Sequence, residues 1–195
     1  MSKKRVAILI SGRGSNMQAL IEAAKAPDYP AEIAGVFSNR LDAPGLEFAR
    51  ANGIATLARS HRDFASREAF DAIIDQALSD WQVDYVCLAG FMRIFSVPFA
   101  QKWSGRMINI HPSLLPLYKG LHPHQQALDA GARVHGCTVH WVIPELDDGP
   151  AILAAEVPIL PGDTADTLAA RTLLEEHRIY SEALRMLAAG EVPPP

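Results

Sequence analysis

"ILISGRGSNMQAL", residues 8–20, joins an apolar run to a glycine turn and then to residues with helical spacing. A buried strand that turns tightly into a helix is the opening of a βαβ unit, and the rest of the chain repeats it. "RVAILIS" (5–11), "EIAGVFSN" (32–39), "GIATLAR" (53–59), "DYVCLAG" (84–90) and "RMINI" (106–110) read as strands. "NMQALIEAAK", "APGLEFARANG" and "SREAFDAIIDQALSD" between them have helical spacing, with Gly53 stopping the second. Five strands with crossovers predict an α/β fold with a doubly wound, mostly parallel sheet. Ligands of such sheets bind at the carboxyl ends of the strands, where this sequence places "SGRGSN", "SN", "AGFMRI" and "NIHPS".

After residue 135 the pattern changes to "HGCTVHWVIPELDDGPAILAAEVPI", two β-rich runs around an acidic turn, which predicts a hairpin-like extension of the sheet. A long final helix is expected from about Thr164 to Ala189. Ala169, Leu173, Tyr180, Leu184 and Leu187 mark its apolar stripe, and Glu176 falls on that stripe. An inward-facing acid needs a partner, and a structural cation, a ligand amine or a ligand hydroxyl would each serve.

The chain has 195 residues, 49% of them apolar, which fits one domain with a substantial core. No apolar stretch approaches the ~18 residues of a membrane span, and the N-terminal run is too short for a signal peptide, so a cytoplasmic protein is expected. The net charge of −4 argues against a nucleic-acid partner, which would call for a basic face. An anionic ligand must instead meet a local cluster, for which Arg13, Arg67, Arg93 and Lys119 are the candidates. Cys87 and Cys137 fit neither a disulfide framework nor a CxxC site and read as packing residues.

Three stretches carry chemistry. In the glycine turn, Gly12 and Gly14 permit tight backbone geometry, and the amides of Ser15 and Asn16 lie where a helix N-terminus favours phosphate. The plainer alternative is a sharp βα turn capped by Ser15 or Asn16. In "NIHPS", Asn109 and His111 project to one side of a strand that Pro112 ends. An uncharged donor and a group that exchanges a proton near neutrality suit a developing oxyanion, although a core Asn–His pair bound to backbone would look the same. In "PELDDGP", a carboxylate of Asp147 or Asp148 beside His111 would favour and orient an imidazolium, although an acidic Gly-Pro turn with no such role would look the same. Five of the seven histidines lie between 111 and 140, yet there is no HExxH helix and no cysteine to complete a ligand set, so no metal is expected.

Taken in order, "LISGRGSN", "VFSN", "SREAFD", "LAGFMRI", "NIHPSLLP", "GLHPH", "HGCTVHWV" and "ELDDGP" resemble the phosphoribosylglycinamide formyltransferases, a folate-dependent family, over about residues 4 to 185. The resemblance implies direct transfer of a formyl group from 10-formyltetrahydrofolate to the amine of glycinamide ribonucleotide, with no covalent enzyme intermediate. Asn109, His111 and Asp147 fall on the family's catalytic positions. Gly14, Ser15 and Asn16 match the phosphate contacts, with Gly12 and Arg13 completing the turn, and Glu176 matches the contact to the ribose hydroxyls. Met92, Arg93, Ile94, Asn109, Val142 and the backbone up to Asp147 match the folate pocket, with Arg67 at its edge, near the glutamate tail. Leu173 stands where some members carry a polar residue, and Asp148 where many carry glycine.

The implied organisation is a single domain over 1–195, with a nucleotide-binding half (1–110) and a folate-binding and catalytic half (111–195). The implied partners are the two small molecules; the resemblance allows a homodimer and implies neither nucleic acid nor membrane. Two relatives are set apart. Methionyl-tRNA formyltransferase carries an additional C-terminal domain and meets tRNA, for which this acidic chain offers no basic face. Formyltetrahydrofolate hydrolase carries an N-terminal regulatory domain, whereas the first strand here is expected at about residue 5. A non-catalytic phosphoribosyl-ligand sensor would need the glycine turn alone, without Asn109, His111 and Asp147.

Overall fold

The computed structural model describes residues 2–195 and sets the opening strand third in a seven-stranded sheet, with neighbours on both sides. β1 (Lys4–Ile10), β2 (Ala31–Ser38), β3 (Ala55–Ala58), β4 (Tyr85–Leu88) and β5 (Met107–His111) are parallel, and β6 (Val134–Trp141) and β7 (Ala151–Pro158) add antiparallel strands, in the order β3-β2-β1-β4-β5-β6-β7. Parallel strands covered on both faces read as continuous apolar runs, and Val6 to Ile10 are all fully buried. Alternation divides them between two cores. Val6, Ile8 and Ile10 pack with α1 (Ser15–Ala24), α2 (Gly45–Ala51) and α6 (Ala165–Ala188), while Ala7 and Leu9 pack with α3 (Arg67–Asp80) and α4 (Val97–Lys102). The sheet is continuous across residue 110, because β5 pairs with β4 on one side and β6 on the other. Both cysteines are free and fully buried.

Two short helices lie in stretches for which the sequence predicts no element. α4 and α5 (Pro123–Asp129) have six and seven residues and open with proline in the first turn, where the missing N–H has no intrahelical partner to lose. The "GLHPH" segment therefore ends in a helix, with His122 in the left-handed region before it. On α6 the stripe is shifted by one residue at its start. Leu168 and Thr172 are buried where Ala169 and Leu173 are expected, because the Thr172 hydroxyl satisfies itself on the Leu168 carbonyl at 2.8 Å. Glu176, Tyr180, Leu184 and Leu187 lie inside as expected. The Tyr180 hydroxyl reaches the carbonyls of Leu88 (2.9 Å) and Ile108 (3.2 Å), which holds α6 against β4 and β5.

Candidate active site

A cavity of about 600 Å³ opens at the carboxyl ends of β4 and β5, the place the sheet topology predicts. Asn109 and His111, two residues apart on β5, both line it. Asn109 faces His140 across the antiparallel pair, and its Nδ2 lies 3.1 Å from His140 Nε2. An amide nitrogen only donates, so Nε2 accepts and the imidazole carries its proton on Nδ1, which donates to the Trp141 carbonyl at 2.9 Å. Burial lowers the pKa of His140, in keeping with this neutral ring.

His111 is 6% exposed. Its Nε2 donates to the Tyr118 carbonyl at 3.0 Å, and its Nδ1 lies 3.5 Å from Asp147 Oδ2. Each ring nitrogen thus faces an acceptor, which fixes the plane and orientation of the imidazole. Asp147 is itself held in place, since its Oδ2 accepts the Gly120 amide at 3.0 Å and its backbone has a left-handed φ of 51°. The turn can lie this close to the sheet because of Gly149: a β-carbon there would fall 1.9 Å from the Trp141 carbonyl oxygen. Asp148 points elsewhere and forms an ion pair with Lys119, which occupies one of the expected anion-binding cations.

The second end of the cavity joins the two ends of the fold. Asn16 on α1 donates to Glu176 Oε2 on α6 at 2.7 Å, and both line the cavity. Burial raises the Glu176 pKa, and the bond from Asn16 offsets part of that rise. Asn16 Oδ1 is buried with no partner among the described residues, so the pair retains hydrogen-bonding capacity for a polar ligand.

Met92, Arg93, Ile94 and Val142 also line the cavity. Gly14 is the N-cap of α1, in the left-handed region, and neither Ser15 nor Asn16 caps the helix by its side chain. Gly12 lines an adjoining cleft that shares Gly90, Met92 and Arg93 with the main cavity. Arg13 and Arg67 are exposed and line neither. Sequence reading missed His140, whose only signal is its register opposite Asn109, and the Tyr118 carbonyl, which no side-chain pattern encodes. Among the described residues no three His, Cys, Asp or Glu side chains group as metal ligands, and no helix is long and apolar enough to cross a membrane.

The Formyl transferase family model matches residues 4–184, a stretch that contains every residue lining the cavity. Phosphoribosylglycinamide formyltransferase of Escherichia coli (strain K12) is 48% identical over 187 residues, covering 96% of this chain and 88% of that protein. The chain belongs to the phosphoribosylglycinamide formyltransferase family. Another phosphoribosylglycinamide formyltransferase, from Brucella melitensis, has a crystal structure that superposes with a TM-score of 0.93 at 54% identity, each chain covered in full. The trifunctional purine biosynthetic protein adenosine-3 of Bos taurus is 50% identical over 190 residues, or 97% of this chain. The chain spans only 19% of that relative's length, so the likeness to the trifunctional protein is confined to that share of it.

Proposed function

We propose that the chain transfers the formyl group of 10-formyltetrahydrofolate to the amine of glycinamide ribonucleotide, giving formylglycinamide ribonucleotide and tetrahydrofolate in purine biosynthesis. The observation that carries this reading is the meeting of Asn109, His111 and Asp147 in one cavity whose other end holds the Asn16–Glu176 pair.

The amine lone pair attacks the formyl carbon, and the carbonyl electrons move onto oxygen. Asn109 and protonated His111 stabilise that oxyanion, and Asp147 balances the imidazolium. A proton passes from the attacking nitrogen to N10 of the folate through water, the C–N10 bond breaks, and the carbonyl re-forms. Met92, Arg93, Ile94 and Val142 flank the folate, with Arg67 at the outer edge of its site. Gly12 to Asn16 receive the ribonucleotide phosphate, and Glu176 accepts from the ribose hydroxyls. No step calls for a metal.

The test is to incubate purified protein with 10-formyltetrahydrofolate, with and without glycinamide ribonucleotide. Tetrahydrofolate released only with the ribonucleotide present is the expected outcome. Release without it would mark a hydrolase, and no turnover with both substrates would mark a binding module.

A further inference from the structure

Ser11 and Asn39 are buried and line the adjoining cleft beside Gly12, Met92 and Arg93, and the mechanism above uses neither. Ser11 follows β1 directly and is 6% exposed; Asn39 follows β2 and is 5% exposed. The Ser11 amide donates to the Gly90 carbonyl at 3.1 Å, and the Ser11 hydroxyl accepts the Met92 amide at 2.8 Å. One residue therefore grips both ends of the segment 90–92, whose first member has a φ of 75°. The hydroxyl proton goes to Asn39 Oδ1 at 2.5 Å, which fixes the rotor so that its lone pairs face Met92. Asn39 Nδ2 in turn lies 3.4 Å from His61 Nδ1.

We propose that Ser11 and Asn39 are positioning residues that set the 92–94 segment in its folate-binding conformation. The segment reverses at Gly90 and is packed into the core by Phe91 and Phe95, stacked 5.4 Å apart, but Met92 and Ile94 between them are 63% and 51% open to solvent and have little apolar packing to fix the backbone there. Beyond these aromatics and the Ser96 amide, which donates to Asp71 Oδ2 at 2.7 Å, the backbone at 90 and 92 is set by the two bonds of Ser11. Arg93 follows the anchored amide directly and has a buried Nε with no partner among the described residues, so its direction into the cavity depends on where Met92 is held. The glycine turn does not depend on this chain in the same way. It has separate ties, from the Gly45 amide to the Gly12 carbonyl at 3.1 Å and from the Gln18 amide to the Gly14 carbonyl at 2.9 Å. Loss of the Ser11 hydroxyl should therefore fall on folate far more than on ribonucleotide.

The inference rests on the assignment of residues 92–94 to folate, and wild-type formyl transfer is measured first, so that failure of the proposed function is seen separately. Ser11→Ala removes the acceptor of a buried amide, and the loss of one such bond corresponds to about a tenfold rise in the KM for folate. The KM for ribonucleotide should move less than threefold, and kcat should stay within a few fold. Asn39→Ala should act in the same direction, and the double variant should be no worse than the more affected single one, as expected of two links in one chain. If Ser11→Ala does not fold, Ser11→Cys fills the space with a weak acceptor and carries the same expectation. Equal rises in both KM values, an unchanged folate KM in folded protein, or multiplying effects in the double variant would overturn the proposal.

Discussion

Asn109→Ala separates two duties that one amide performs. Asn109 Nδ2 has two hydrogens, one of which meets His140 Nε2 at 3.1 Å. His140 is 2% exposed and its other nitrogen is already committed to Trp141, so only a water entering from the cavity that both residues line can stand in for the lost donor. Leaving a buried acceptor unpaired costs about 1–3 kcal/mol of stability. The second duty falls on charge that exists only as the tetrahedral intermediate forms, and losing one such donor costs roughly 10²–10³ in kcat, about 2.7–4 kcal/mol. Urea unfolding reads the first quantity, and steady-state formyl transfer reads the second, with both KM values expected within a few fold. Adding His140→Leu removes the stranded acceptor and should recover part of the stability, since an apolar pair of similar shape replaces a broken polar one. It should not recover kcat. A folded Asn109→Ala enzyme with kcat within threefold of wild type, or a kcat that returns with stability in the double variant, would refute the reasoning and leave Asn109 a structural partner of His140.

Gly14→Val should raise the KM for ribonucleotide well above its effect on folate: φ is 67°, a left-handed region that costs other residues about 1–2 kcal/mol, and the added β-carbon would lie 3.1 Å from Met17 Cε. Equal effects on both substrates would contradict the phosphate assignment. Burial raises the Glu176 pKa, so the folded state holds that proton more tightly than the unfolded chain; the associated stability is present below the ordinary carboxylate range and lost as pH rises through the raised value. Glu176→Gln should therefore raise Tm at neutral pH while raising the ribonucleotide KM at least about tenfold, the equivalent of one charged hydrogen bond, and a lowered Tm or an unchanged KM would count against it. His124 is pushed down to about 4, first by burial and then by His135 and His111, so its contribution is present above the usual imidazole range and lost as pH falls toward about 4. His124→Gln should flatten that loss in urea titrations between about pH 6.5 and 4, and an unchanged slope would refute it.

The strands were legible because a parallel sheet covered on both faces writes each strand as an apolar run, and all five expected runs, the hairpin and the final helix are in the structure. α4 and α5 were not legible, since less than two turns of helix opening on proline has too few residues to show a period. The convergence of Asn109 and His111 on one cavity followed from the two-residue repeat of β5. The partner of Asn109 did not, because it depends on a register between strands whose facing residues lie 31 positions apart. Thr172 shows the remaining gap: a hydroxyl that bonds to its own helix is buried as readily as leucine, which no polarity scale records. Arg13 and Arg67 carry the right charge for an anion, but charge alone does not tell which side chains a fold leaves outside its cavities.

The docking of α6, which the Tyr180 hydroxyl ties to β4 and β5, bears on when the protein becomes competent. Glu176 lies one helical turn before Tyr180 and meets Asn16 across 160 positions of chain. Closing so long a loop is an entropic cost that local helices and hairpins do not bear, so contacts of this span are expected to form late. During refolding, the sheet signal in circular dichroism should recover before binding of the ribonucleotide does, and the lag between them is the time α6 takes to dock. On the proposed assignment of Glu176, a molecule able to hold the ribonucleotide has therefore already closed the loop between α1 and α6.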